Sequence, residues 1–352
     1  GNQGTATDAF REQVEIVRAG DLGDIQQVLV SNSGGGGGPR PIPKDEMPIP
    51  DYLEWDLWLG PREFRPYHKD WMRWHGWREF GTAQLGNWSV HSTNMQFMAF
   101  KVFELWNDES LPVDRRTIRV RAEVSGIDKV CFPKWEIIHY DIPERGVLPA
   151  YTVSWYNGLA APSFRETIEG ALGRRLVTGG PGPWVEHAGC LLVGSQGTIH
   201  STEHNSSYTL LPTDRFDGYE KPKPTLPRHG SHEREWVRAC RGGPRAMSNF
   251  DYGAVLTEFV LSGNVATQFD RPIPKVEMPI PDYFAWDLWL GPRKLRPYHK
   301  DWMRWHGWRE FGTAQLGNWS VHSTNMQFMA FKVFELWYDE SLPVDRRTIR
   351  VR

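Results

Sequence analysis

Residues 40–121 recur almost unchanged as residues 271–352, a stretch of 82 positions at a constant offset of 231. Only six positions differ: Asp45/Val276, Leu53/Phe284, Glu54/Ala285, Glu63/Lys294, Phe64/Leu295 and Asn107/Tyr338. A solenoid stacks many short units on one another. Here one long unit recurs once, so both copies carry the same local instructions. The second copy stops before any counterpart of the strand-like runs that follow Arg121. The chain therefore divides into residues 1–270, a domain with its own strands, and residues 271–352, a partial duplicate of 40–121. The duplicate reads as a recent duplication or as a chimeric or misassembled gene; a second working site is the functional alternative, and the missing strands count against it. Gly1 in place of Met, and a strand-like run still open at Arg352, read as the ends of a longer chain.

Local signals place the elements. Thr7 or Asp8 caps a helix to about Ala19, with Phe10, Val14 and Val17 on one face and Gly20 as its stop. Residues 24–31 are rich in Ile and Val and read as a strand. Gly34–Gly38 is a run of five glycines followed by Pro39, Pro41 and Pro43, a flexible Gly/Pro-rich loop over 34–43 without the spacing of a phosphate-binding loop. Residues 48–77 are aromatic and Pro-containing, with no period. Residues 80–106 read as a mostly apolar helix. Strands are expected at 117–124, 135–142, 151–155 and 208–211, with a hairpin of 190–193 and 197–200 turning at Ser195-Gln196. Ser231 caps a helix over 232–241, and Asn249 caps another over 250–268. Strands grouped between helices predict an α+β fold, an open and largely antiparallel sheet packed on helices.

Composition narrows the function classes. The formal charge of −2 and the lack of any long like-charge block give no electrostatic footprint for nucleic acid or an anionic membrane. No apolar run reaches the length of a membrane span. The three cysteines, Cys131, Cys190 and Cys240, are odd in number and form no CxxC pair, which argues against a zinc knuckle or a disulfide framework. Eighteen tryptophans mark a chain able to bury a substantial aromatic core.

Three segments carry candidate chemistry. On a helix, Asn87 and His91 lie four apart and share a face. His91 is suited to general acid or base work, and Asn87 to orienting a hydroxyl or the imidazole. A histidine on a helix face also serves as an ordinary structural hydrogen-bonder. Trp74 and Trp77, with His75, Arg78 and Glu79 between and beside them, offer flat apolar faces and polar groups of the kind a sugar ring needs, and equally suit a core or interface cluster. His200-Ser201-Thr202-Glu203-His204 matches an H-x-x-E-H metal string, but that chemistry needs a helix, and the run reads as a strand entering a loop. There is no G-x-S-x-G elbow, no G-x-G-x-x-G after a strand and no βαβ alternation.

Several motifs in order carry a resemblance. The runs Trp55-Asp56-Leu57-Trp58-Leu59-Gly60-Pro61 and Arg65-Pro66-Tyr67-His68 resemble the C-terminal domain of Gfo/Idh/MocA family oxidoreductases, in particular a planctomycete-type branch. So do residues 77–91, Ser248-Asn249-Phe250-Asp251-Tyr252 and Gly263-Asn264-Val265-Ala266. The start, Gly1-Asn2-Gln3-Gly4, resembles the segment that follows that family's Rossmann domain. The resemblance implies NAD(P)-dependent hydride transfer at a carbinol carbon of a sugar or cyclitol, a sugar-like substrate, and a separate Rossmann domain holding NAD or NADP. No cofactor is expected on this chain alone, and turnover by the chain alone is not expected either. It also implies self-association through the sheet. The family helix carries Asp and His four residues apart; His91 matches the His, while Asn87 stands at the Asp position, and Asn318/His322 repeat the pair in the copy. A non-catalytic carbohydrate-binding or oligomerisation module is the alternative from another class. Compartment, the identity of the sugar and the choice between NAD and NADP are not written in these residues.

Overall fold

The computed structural model describes residues 2–268 except 33, 35–36, 109, 113–114, 159 and 176–187. In the duplicate it describes only 279–282, 285–286 and 298. The chain separates into two compact units, Gly1–Asp270 and Arg271–Arg352. Within the second, Trp286 meets Tyr298 edge-on at 5.2 Å, as Trp55 meets Tyr67 in the first. The Asn318/His322 pair lies outside the described residues.

The first unit is built on one seven-stranded open sheet. Its strands are β1 (Ile25–Asn32), β2 (Arg119–Val124), β3 (Glu136–Ile142), β4 (Tyr151–Asn157), β5 (Ala188–Gly194), β6 (Thr198–Thr202) and β7 (Tyr208–Leu211). The spatial order is β2-β3-β4-β1-β5-β6-β7. Every neighbouring pair is antiparallel except β1 with β4, which run parallel in the register Val30↔Trp155. The α+β expectation holds, and each strand expected from the sequence is present to within a few residues.

Period-two alternation sends Val28, Val30, Ile138, Tyr140, Val153, Trp155, Cys190, Leu192 and Ile199 to one face of this sheet. Helices cover that face. α1 (Asp8–Ala19) contributes Phe10, Val14 and Val17, and ends where Gly20 adopts φ +80° and returns its N–H to the Ile16 and Val17 carbonyls. Thr7 caps its start, its Oγ1 accepting from Phe10 N at 3.2 Å. The final helix of the unit, Phe250–Ala266, buries Tyr252, Leu256, Phe259 and Val260 on the same face and is capped by Asn249.

The opposite face differs between its two halves. A helix that the sequence reading missed, Phe164–Leu172, lays Phe164, Ile168 and Leu172 over Leu29, Ile137, Tyr156 and Leu191. Beyond it, on β2–β4, the face is polar. His139 Nδ1 and Ser154 Oγ are 2.9 Å apart, and Thr152 Oγ1 donates to Asp141 Oδ1 at 2.8 Å. Arg121 Nε lies 3.7 Å from Asp141 Oδ2.

The stretch 48–80 forms a satellite core with little regular structure. α2 (Trp55–Leu59) and two short 3-10 turns bring Trp55, Leu59, Tyr67, Trp71 and Trp77 around Cys131.

The single apolar helix expected over 80–106 is interrupted. A π-helical segment, Leu85–Ser89, leads into α3 (Val90–Ser92), α4 (Asn94–Ala99) and, after a turn, α5 (Glu104–Asn107). The break after Ala99 has a cause in the tertiary structure. Arg18 donates to the carbonyls of Met98 and Ala99, and Arg145 to that of Phe100, so side chains take acceptors that a continuing helix would use. Lys101 follows at φ +52°. The remaining helices are α6 (Phe164–Leu172), α7 (His232–Cys240), capped by Ser231, and α8 (Phe250–Ala266).

Candidate functional site

The interrupted helix positions His91 against the N-terminal segment. Asn2 Nδ2 donates to the Val90 carbonyl at 2.6 Å, and Asn94 Nδ2 donates to Thr5 Oγ1 at 2.8 Å. Between these two bonds the Gln3 carbonyl oxygen stands 3.3 Å from His91 Nδ1. A carbonyl only accepts, so Nδ1 carries the proton and Nε2 keeps its lone pair. Gly4 adopts φ +97°, and a Cβ there would lie 1.8 Å from the His204 carbonyl oxygen. Only glycine lets the segment approach this closely, and the approach brings the turn after β6 alongside α3.

Three aromatic rings meet there. The His91 and His204 rings are 4.9 Å apart at 73°, and Trp88 lies 5.2 Å from His204 and 6.5 Å from His91. His204 Nδ1 is 3.6 Å from Glu203 Oε1. Burial pushes the His91 pKa below its ordinary value. The Gln3 carbonyl opposes this, the nearby His204 adds to it, Glu203 opposes, and His232 adds again. The His91 ring is thus neutral near pH 7, with Nε2 as a hydrogen-bond acceptor and proton acceptor.

Gln3 also lines an open cleft of about 830 Å³ between the N-terminal segment, α7 and the start of α8. Trp236 and Phe250 stand on its walls, 66% and 95% exposed, with His232 and Glu233 beside them. His232 Nε2 is buried there without a hydrogen-bond partner, and burial lowers its pKa.

The other sequence candidates separate. Asn87 falls inside the π segment and is exposed. Among the described residues no hydrogen bond joins it to His91. A π turn takes more residues than the α turn on which the four-residue spacing was read, and His91 bonds to the chain start instead. Trp77 is buried in the satellite core, its Nε1 donating to the Asp70 carbonyl at 2.8 Å. Arg78 Nε donates to the carbonyls of Asp128 and Cys131, both at 2.9 Å, and its guanidinium lies over Phe132. Its Nη1 and Nη2 reach Thr267 Oγ1 at 3.3 Å, so it ties a loop to the end of α8. Glu79 pairs with Arg65 at 2.6 Å. Trp74 and His75 stack at 3.7 Å beside a different, smaller cleft. No contact among the described residues joins them to His91.

The H-x-x-E-H string divides. His200 sits on β6 with its pKa pushed down to about 4 by burial, whereas His204 lies in the following turn against His91. Among the described residues no group of three potential ligands is placed to hold a metal ion. Gln3, Gly4 and Trp88 enter the sequence analysis only as parts of motifs, and His232 not as a site residue. Their roles depend on contacts across 88 residues or more, for which no local pattern exists.

The glycine run after β1 is not a strand–loop–helix phosphate site among the described residues. Among the described residues Gly34, Gly37 and Gly38 lead into a run from Pro39 without regular structure, and no helix begins there to receive a pyrophosphate.

No family profile and no curated protein matches the chain. Solved structures share part of its arrangement. The WlbA dehydrogenase from Bordetella pertussis, in complex with NADH and UDP-GlcNAcA, is 12% identical over 78% of this chain and 62% of its own, with a TM-score of 0.40. A super-repressor mutant of Gal80p from Saccharomyces cerevisiae is 11% identical over 76% and 62%, with a TM-score of 0.38. An oxidoreductase from Thermotoga maritima is 9% identical over 75% and 58%, with a TM-score of 0.36. The chain thus spans about 60% of the length of these proteins. At such scores the likeness carries no assignment of function.

Proposed function

We propose that residues 1–270 are the substrate side of an oxidoreductase that acts on a hydroxyl of a sugar or cyclitol, with His91 moving the hydroxyl proton. The observation that carries this reading is the state of His91. It is held by the Gln3 carbonyl as the Nδ1–H tautomer, kept neutral by burial, and its holder lines the largest open cleft described above. A neutral imidazole with a free Nε2 accepts a proton from a carbinol and returns it in the reverse direction. Trp236 supplies an apolar wall for the C–H face of a ring, and Glu233 an acceptor for its hydroxyls. Asn87, exposed one turn away, orients the substrate and does no proton transfer. The hydride acceptor, NAD or NADP, belongs in this reading to a separate Rossmann domain, as the resemblance implies. Self-association, where it occurs through the sheet, involves the polar half on β2–β4.

The test is turnover by the polypeptide that contains this chain together with a nucleotide-binding domain, assayed on a panel of sugars and cyclitols with NAD and NADP. His91→Ala lowers kcat by about 10²–10⁴-fold with the melting temperature retained. Unchanged turnover in that variant removes His91 from catalysis. The second reading, a carbohydrate-binding module without catalysis, is supported by the exposed Trp236 and Trp74 at open clefts; sugar binding without turnover in any such polypeptide would select it.

A further inference from the structure

The cleft beside Trp74 has a chemistry of its own. It measures about 360 Å³, within the lower range of small-molecule sites, and is lined by Arg40, Arg73, Trp74 and His75 with glycines between them. No carboxylate lines it. Arg40 is built into its wall. Its guanidinium lies 5.3 Å from the centre of the Trp77 ring. Its Nη2 is 2.4 Å from where a Cβ on Gly76 would stand, and 2.5 Å from where one on Gly37 would stand. Both flanking positions must be glycine for the guanidinium to occupy this slot. Its carbonyl is engaged by the Cys131 thiol at 3.9 Å, which fixes the backbone from which the side chain extends. Yet among the described residues neither the Arg40 nor the Arg73 guanidinium has a hydrogen-bond or ion-pair partner. Arg11, Arg65, Arg228 and Arg245 are matched to Glu235, Glu79, Glu15 and Asp251, whereas the exposed Arg62, Arg234 and Arg241 also have no such partner among the described residues, so it is the place of Arg40 and Arg73 at the cleft that sets them apart. Beside this unmatched pair, Trp74 is 41% exposed and its ring is backed by His75 at 3.7 Å and 29°. Burial lowers the His75 pKa, so near pH 7 the ring adds no charge.

We propose that this cleft binds an acidic monosaccharide, with the carboxylate held by Arg40 and Arg73 and the ring laid on Trp74. A guanidinium presents its N–H groups in a planar fork that matches a carboxylate. An exposed indole packs on the C–H face of a pyranose. The two features side by side select a ligand with both a negative charge and a sugar ring. This site is separate from the one around His91 and does not rest on the oxidoreductase reading. A protein that binds sugars without turnover satisfies it equally.

The probe is sodium D-glucuronate, titrated calorimetrically into the full chain at low ionic strength. The background carries R271Q and R304Q, so that the corresponding arginines of the duplicate do not contribute. D-glucose tests the need for charge, and sodium acetate the need for the ring. Glucuronate is expected to bind saturably, about tenfold or more tighter than either control, and to weaken as sodium chloride is added. R40Q and R73Q are each expected to weaken it about tenfold, and W74A to reduce the preference over acetate. Arg73 is exposed, so R73Q reports binding without a folding defect. Equal binding of glucose and glucuronate, equal binding of acetate and glucuronate, or full affinity in R73Q would each overturn the proposal. So would the absence of saturable binding.

Discussion

The imidazole of His91, on the interrupted helix, meets that of His204, from the turn after β6, edge to face at 4.9 Å. The two are 113 residues apart, and the sequence offers no hint of the pairing. Two imidazoles this close do not both accept a proton easily, so His204 disfavours the charged form of His91. Replacing His204 by Gln is expected to raise the pH at which His91 protonates. Nitrogen-15 NMR of the histidine rings reads both this and the tautomer. The same spectra should show the proton on Nδ1 of His91; an Nε2–H tautomer would contradict the bond to the Gln3 carbonyl.

Acid sensitivity has a specific source in His200. Its folded-state pKa is about 4, below the roughly 6.5 of a free histidine. The unfolded chain therefore binds the proton more readily, and stability is lost as pH falls from about 6.5 towards 4. The contribution is of order 3 kcal/mol across that window. Urea denaturation at pH 7.0 and 4.5 should show a smaller loss in His200→Gln than in the parent. An equal loss would place the acid sensitivity elsewhere.

Gly4 is expected to be intolerant. Its positive φ costs a substituted residue roughly 1–3 kcal/mol, and the added Cβ collides with the His204 carbonyl. Gly4→Ala should lower the melting temperature and also move the His91 ring resonances, because the same segment supplies the Gln3 carbonyl. Gly20→Ala, with open space around its Cβ and only the backbone penalty, should leave those resonances in place.

A buried ion pair joins α1 to α7. Arg11 Nη2 is 2.8 Å from Glu235 Oε1, with the two side chains 0% and 4% exposed. Arg11 also donates to the carbonyls of Thr5 and Pro227. Removing one partner strands a charge away from water, which costs about 3–5 kcal/mol. Glu235→Ala should be destabilised by that order in chemical denaturation, and Glu235→Leu with Arg11→Met should recover much of it. No recovery in the double variant would show that the carbonyl contacts of Arg11 dominate.

Deleting residues 271–352 is expected to leave the melting temperature unchanged or higher and to reduce aggregation. Gly1–Asp270 is compact by itself, and the duplicate repeats 40–121 without strands corresponding to β3 and β4. Thermal melting and size in solution, compared with the full chain, check this; unfolding of the remainder would make the duplicate an integral part of the fold.

Local chemistry along the chain determined most of the first unit's elements. Thr7, Ser231 and Asn249 cap the helices expected of them, Gly20 ends α1, and alternating apolar residues mark the strands, because each signal acts within a few residues. His91 stands out in the sequence as the histidine of a motif, and its role there is a proposal. What surrounds it does not stand out. Arg18 and Arg145 break the long helix from a distance, Gln3 sets the tautomer of His91, and His204 approaches it from the sheet. Trp74 and Trp77 look alike in sequence, yet one stands at an open cleft and the other is sealed beneath Arg40. The physical reason is one of range. Capping, turn chemistry and periodicity are properties of neighbouring residues. The burial, charge environment and hydrogen-bond partner of a side chain depend on which distant segments the folded sheet and its helices bring against it.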